Sequence, residues 1–150
     1  MREDTIGRPM EILMIEDSLS SARITMGALK KSEVEHNITW IADGAEGVSF
    51  LVREGKYNQA PQPDLVLLDL NLPGRDGHEV LKDIRTDGRL EKTAVVILSA
   101  SDDEEDHRQV EELGVQSYLT KPVDLDEFLR VVQDVKVYWK KNQIGPEQNP

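Results

Sequence analysis

The sequence predicts an α/β domain: a doubly wound, five-stranded parallel sheet covered by helices on both faces. Three observations predict it. Five short apolar runs alternate with five helical patterns, a (βα)5 series. Three of the runs, "ILMI", "LVLL" and "AVVIL", are apolar almost throughout, as strands buried on both faces must be. Acids or hydroxyls with a Glu three residues on mark most of the helix starts.

The first strand is "EILMIED", Glu11–Asp17. The helix after it, "SARITMGALKKS", carries Ala22, Met26 and Leu29 on one face. "HNITWIAD" is a second, more mixed strand and fits nearer a sheet edge. Asp43 with Glu46 caps the second helix; Ala45, Val48, Leu51 and Val52 form its inner face and Gly55 ends it. "REGKYNQAPQPD" is a loop leading to the third strand, "LVLLD". Asp76 with Glu79 opens the third helix, with Val80, Leu81 and Ile84 inward and Gly88 as its stop. "TAVVILSAS" is the fourth strand, and Ser101 with Glu104 opens the fourth helix, which Gly114 closes. "VQSYLT" is the fifth strand, and Asp124 with Glu127 caps a last helix running to about Trp139. Residues 1–10 read as an N-terminal extension, 11–139 as the domain and 140–150 as a mobile polar tail.

Composition narrows the function classes. At 150 residues, 38% hydrophobic and 31% charged, the chain suits one globular domain. It has no cysteine, so neither disulfides nor thiolate metal sites are available. No apolar run approaches the roughly 20 residues that span a bilayer, and "MREDTIGRP" is no signal peptide. The expectation is a cytoplasmic protein off the membrane. A net charge of −11, with no dense basic run, argues against nucleic acid as a partner.

In an open parallel sheet, ligands gather beyond the carboxyl ends of the strands. Here those ends carry Glu16 and Asp17, Asp69, Ser99, and the run Thr120–Lys121–Pro122. Clustered carboxylates repel by about 1–4 kcal/mol per pair at 4 Å, depending on the dielectric. A proton, Lys121 or a divalent cation can offset that. Oxygen-only ligands with few carboxylates describe a magnesium site. Magnesium would shield an anionic nucleophile from an anionic phosphoryl group, and a carboxylate can attack phosphorus to give an acyl phosphate.

The runs "ILMIEDS", "LVLLDLNLPGRDG", "VVILSAS" and "YLTKP", in this order and at strand ends, resemble the receiver domains of two-component response regulators. The resemblance covers Glu11 to Trp139 and implies the flavodoxin-like, CheY-like strand order 2-1-3-4-5. It implies that Asp69 is the phosphoacceptor, and that Mg²⁺ is held by Asp17, Asp69 and the backbone carbonyl of Asn71, with Glu16 acting through water. It further implies that Ser99 and Lys121 hold the phosphoryl oxygens, that Tyr118 switches with Ser99, and that the Lys121–Pro122 peptide is cis. Two departures stand: Glu16 where many members have Asp, and Ser99 where Thr is commoner. The implied partner is a sensor histidine kinase or a histidine phosphotransfer protein. "LVREGKYNQAPQPDLVLLDLNLPGRDG" and "VKVYWKKN" resemble the single-domain regulators paired with phytochrome-type kinases. With about a dozen residues after Trp139, the expected output is protein–protein contact, phosphorelay or phosphate buffering, not catalysis on other molecules beyond its own phosphotransfer and autodephosphorylation.

Two other classes were weighed. An aspartate-nucleophile phosphatase of the haloacid-dehalogenase type expects an acid two residues after the nucleophile, where this chain has Asn71. A receiver-fold adaptor without phosphorylation would not need all the side chains present. His36, His78 and His107 show no metal spacing and read as surface or structural; Trp40 reads as core or sheet edge. The last helix carries two apolar stripes, Leu125–Leu129–Val132 and Phe128–Val131–Val135–Tyr138. The extra stripe either broadens the buried face or meets a partner or a second copy through the fourth helix, fifth strand and fifth helix. "SDDEEDHRQVEELG" should make a weakly anchored fourth helix.

Overall fold

A computed structural model describes residues 8–143, with side chains through residue 138. The strands are β1 (Met10–Ile15), β2 (His36–Ile41), β3 (Leu65–Asp69), β4 (Ala94–Ser99) and β5 (Ser117–Thr120). The helices are α1 (Leu19–Lys31), α2 (Gly44–Val52), α3 (Gly77–Thr86), α4 (Glu104–Leu113) and α5 (Leu125–Gln143). All strand pairs are parallel, in the order β2-β1-β3-β4-β5.

Strand periodicity builds two cores from the same strands. Met10, Ile12, Met14, Leu65, Leu67, Val96 and Leu98 pack against α1 and α5. Their neighbours Leu13, Ile15, Val66, Leu68, Val95 and Ile97 pack against α2, α3 and α4. The chain departs from β1 to one side and then the other, so the switch point lies between the carboxyl ends of β1 and β3. Glu16 and Asp69 stand at those ends.

Four local readings are corrected. α1 starts at Leu19, because Ser18 caps it by accepting from the Ser21 N–H; exposed Leu19 gives no apolar signal. The inner face of α2 is Gly44, Gly47, Phe50 and Leu51, while Ala45 is exposed. Glycine lies on the contact face because a Cβ on Gly47 would come 2.5 Å from Ile15 Cδ1. The same helix ends at Arg53, which takes a left-handed φ of 59°, two residues before Gly55. α4 is capped by Asp103, since Ser101 is drawn away to donate to Asp106 Oδ2 at 2.8 Å.

The inner stripe of α5 is Phe128, Val132 and Val135, a single i, i+4, i+7 face. Leu125 is 39% exposed and does not join it; Leu129 and Val131 pack partly at its edges. α5 continues through Gln143, so residues 140–143 of the expected tail are helical. The rest of that tail, and residues 1–7, lie outside the described residues. α4 buries only Val110, which agrees with weak anchoring. Among the described residues, no helix is long and apolar enough to cross a membrane.

A turn before β4 supplies a first prediction. Arg89 donates side-chain hydrogen bonds to Asp87 at 3.0 and 2.7 Å, and its backbone N–H adds one at 2.9 Å. These bonds, the side-chain ones foremost, lower the Asp87 carboxyl from 3.8 to about 2. The folded value lies below the ordinary one. Any stabilisation is therefore complete above pH 3.8 and lost as pH falls through about 2. A carbon-13 NMR titration should show this depressed midpoint, and Arg89→Ala should return it toward the ordinary aspartate value.

Candidate functional site

Glu16 follows β1 directly, and Asp69 is the last residue of β3. The backbone N–H of Glu16 donates to Ile41 at 3.1 Å, and its carbonyl accepts from the Trp40 indole at 2.6 Å. Both main-chain groups are therefore fixed by the edge strand β2. Its carboxylate accepts from the Ser18 N–H at 3.2 Å and from Lys121 Nζ at 2.7 Å. Asp69 Oδ1 accepts from the Asn71 N–H at 3.0 Å, and Oδ2 accepts from the same Lys121 Nζ at 3.2 Å. One ammonium thus bridges two buried carboxylates, Glu16 at 1% and Asp69 at 4% exposure.

Asp17 is exposed, and one carboxylate oxygen each from Glu16, Asp17 and Asp69 lie within 4.8 Å of one another. Burial is the main cause that raises the Glu16 carboxyl; the Lys121 hydrogen bond opposes it. Burial pulls the Lys121 ammonium down, but the Glu16 hydrogen bond and the Asp69 charge outweigh it and raise it overall. Two like charges at that separation repel by roughly 3–4 kcal/mol at an effective dielectric of 20. Three carboxylates against one ammonium leave a net charge of −2 when ionised. A hard dication matches both that charge and the all-oxygen donor set.

Ser99 closes β4, is fully buried, and its Oγ accepts from the Ser101 N–H at 3.0 Å. The Lys121 N–H donates to the Ser99 carbonyl at 2.7 Å, which ties the lysine to the end of β4. The Lys121–Pro122 peptide is cis. Tyr118 donates its hydroxyl to the Ser101 carbonyl at 2.9 Å, and its ring stacks on His107 with centroids 3.6 Å apart. Glu16, Asp17, Asp69 and Lys121 therefore meet at one point. Asn71 joins through its N–H, and Ser99 and Tyr118 join through the loop that follows β4.

Three contributors were not read from the sequence. Ser18 holds Glu16 through a backbone N–H, which no side-chain motif displays. Trp40 reaches the site from a strand distant in sequence. Gly77 opens α3 directly against the end of β3: its N–H donates to Leu70 at 2.9 Å, and a Cβ there would lie 2.4 Å from both the Asp69 carbonyl oxygen and Leu70 Cα. The "RDG" run does carry this glycine, and only the close backbone approach shows its purpose.

Gly77→Ala should therefore destabilise the fold by about 1–3 kcal/mol, although alanine is ordinarily the better helix residue. It should also shift Asp69, and with it the phosphoryl uptake expected there. Denaturant melts and an acetyl phosphate time course check both; a more stable variant with unchanged uptake would contradict the close approach.

The profile described as "Response regulator receiver domain" matches residues 12–133. Over 143 residues, covering 95% of this chain and 97% of the other, the sequence is 38% identical to response regulator Rcp1 of Synechocystis sp.. The crystal structure of the Mn²⁺-bound form of Rcp1 superposes with a TM-score of 0.77, covering 89% of this chain and 96% of that one. The structure of the phosphorylated cyanobacterial phytochrome response regulator RcpA is similar at a TM-score of 0.78 and 37% identity. It covers 93% of this chain and 99% of that one.

Proposed function

The chain belongs to the response regulator receiver family, and from that premise we propose that Asp69 takes a phosphoryl group from a partner's phosphohistidine. The observation that carries this reading is Lys121 bridging the buried carboxylates of Glu16 and Asp69, with Asp17 close by. A carboxylate oxygen of Asp69 attacks phosphorus. The new O–P bond forms as the N–P bond breaks, and the histidine nitrogen keeps the bonding pair.

Asp17, Asp69 and the carbonyl of Asn71 would hold a magnesium ion directly, with Glu16 through water. When bound, the ion supplies the positive charge that lets two anions meet. Lys121 pairs with a transferred oxygen by charge, and the Ser99 hydroxyl donates to another. Ser99 then gives up its present contact with the Ser101 N–H, and Tyr118, tied to the same loop through Ser101, follows. Release of that loop loosens α4, whose one fully buried residue is Val110.

The protein is a signalling phosphoacceptor rather than a classical enzyme; loss of the phosphoryl group to water at the same site is part of the proposal. The receiver unit spans residues 11–139 and works in the cytoplasm, where ATP-fed phosphohistidine donors are made. Likeness to Rcp1 and to the phytochrome response regulator RcpA supports a phytochrome-type histidine kinase as donor. The face of α4, β5 and α5, with Val137 at 53% exposure, is the proposed contact with a second copy. Phosphotransfer profiling against purified histidine kinases of the source organism tests the donor. One kinase should label the wild type within seconds to minutes and leave Asp69→Asn unlabelled. Transfer from none, or equal transfer to Asp69→Asn, would overturn the reading.

A further inference from the structure

A groove of about 280 Å³ runs between α1 and β2. It is lined by Arg23, Met26, Gly27 and Lys30 of α1 and by His36 and Ile38 of β2. The chain has 29 acidic and 18 basic residues, yet this groove has three basic groups and no acid in its lining. Among the described residues, Arg23 and Lys30 have no ion-pair or side-chain hydrogen-bond partner. Lys30 also suits the C-terminal end of α1, where the helix dipole favours a cation. Arg23, in the body of the helix, has no such reason to be there.

Gly27 is the second observation. A glycine inside a helix weakens it. Packing does not require this one: an added Cβ would meet nothing within 4 Å. Its effect is to keep the groove open at its middle and to let another backbone come close.

We propose that this groove receives an acidic amphipathic helix of a partner protein. Arg23, Met26, Gly27 and Lys30 stand at i, i+3, i+4 and i+7, so the two cations are about 10 Å apart along the axis. A helix with carboxylates at i and i+7 and apolar residues at i+3 and i+4 is the complement of that pattern. Met26 and Ile38 provide the apolar floor, with the His36 imidazole beside them. Its Nδ1 lies 2.8 Å from the Val34 carbonyl, which can only accept, so Nδ1 is the donor of that bond. The high overall negative charge disfavours a nucleic acid, whose charge runs on far beyond the groove. The surface is independent of the Asp69 chemistry and needs no phosphorylation.

The test uses the full chain, labelled with nitrogen-15. The probe is an 18-residue alanine-rich helical peptide bearing Glu at positions 6 and 13 and Leu at 9 and 10. Saturable NMR shifts centred on Arg23, Gly27, Lys30 and Ile38 are expected. Affinity should fall at least tenfold when Gln replaces both Glu in the peptide, and equally in Arg23→Glu/Lys30→Glu protein. Gly27→Leu should block the groove while leaving the protein at least as stable. The proposal is overturned by no saturable shift at millimolar peptide, by equal binding of the Gln peptide, by preferential binding of a single-stranded RNA 12-mer, or by a concentration-dependent dimer that Arg23→Glu/Lys30→Glu abolishes.

Discussion

Asp69→Asn is expected to reduce phosphoryl uptake from acetyl phosphate to background. The amide has no nucleophilic oxygen anion to offer phosphorus, and no second described carboxylate at the end of β3 has the Asn71 N–H and Lys121 arranged around it. Intact mass measured with Mg²⁺ present should show one added phosphoryl group on the wild type and none on the variant. A second effect follows from the same electrostatics. Removing a charge that faces Glu16 relieves repulsion, while Lys121 keeps Glu16 as its partner. In EDTA the variant should therefore be more stable than the wild type by about 1 kcal/mol, a fraction of the repulsion at an effective dielectric of 20. Its stability should also respond less to added Mg²⁺, because ligand binding stabilises only the state that binds. Denaturant midpoints with and without the ion read both differences.

Lys121→Met should be the more damaging change to the fold. The ammonium is the only side-chain donor recorded to either Glu16 or Asp69 among the described residues. Met keeps the apolar stem and removes the charge. Breaking a buried ion pair from one side costs about 3–5 kcal/mol. Lys121 is 18% exposed, so water recovers part of this and about 2–3 kcal/mol is expected. Added Mg²⁺ should restore most of the loss, since the cation replaces the missing positive charge at the same carboxylates. Phosphoryl uptake should not recover with it, because the transferred oxygens lack their partner. A variant as stable as the wild type in EDTA would show that Glu16 and Asp69 are not a shared burden on Lys121.

β1, β3 and β4 were the most legible strands because each is a nearly unbroken apolar run with a polar residue at or just past its end. The α3 capping box was legible too: Asp76 and Glu79 exchange both hydrogen bonds. What was hidden has a common cause, which is contact made by groups without an apolar signature. α2 packs through Gly44 and Gly47, so an apolar count turned its face toward Ala45. α3 meets β3 through Gly77, and the glycine's value lies in the backbone it admits. Asp103 displaced Ser101 as the α4 cap because Ser101 had a better acceptor in Asp106. On α5, both stripes are apolar in sequence, and the buried face takes Val132 from one and Phe128 and Val135 from the other. Glu16, Asp17, Asp69, Ser99 and Lys121 were legible because parallel topology sends every strand end to one rim. Trp40 and the groove formed by Arg23, Lys30 and His36 depend on pairing between elements, which a linear reading does not display.

The central claim is that a divalent cation at three clustered acids readies one of them, Asp69, to capture a phosphoryl group. Borohydride reduction of the acyl phosphate, followed by peptide mapping, tests it most directly. After incubation with acetyl phosphate and Mg²⁺, the reduced product should appear at position 69 alone, and EDTA should abolish it. Product at another carboxylate, or equal product at position 69 in EDTA, would contradict the account.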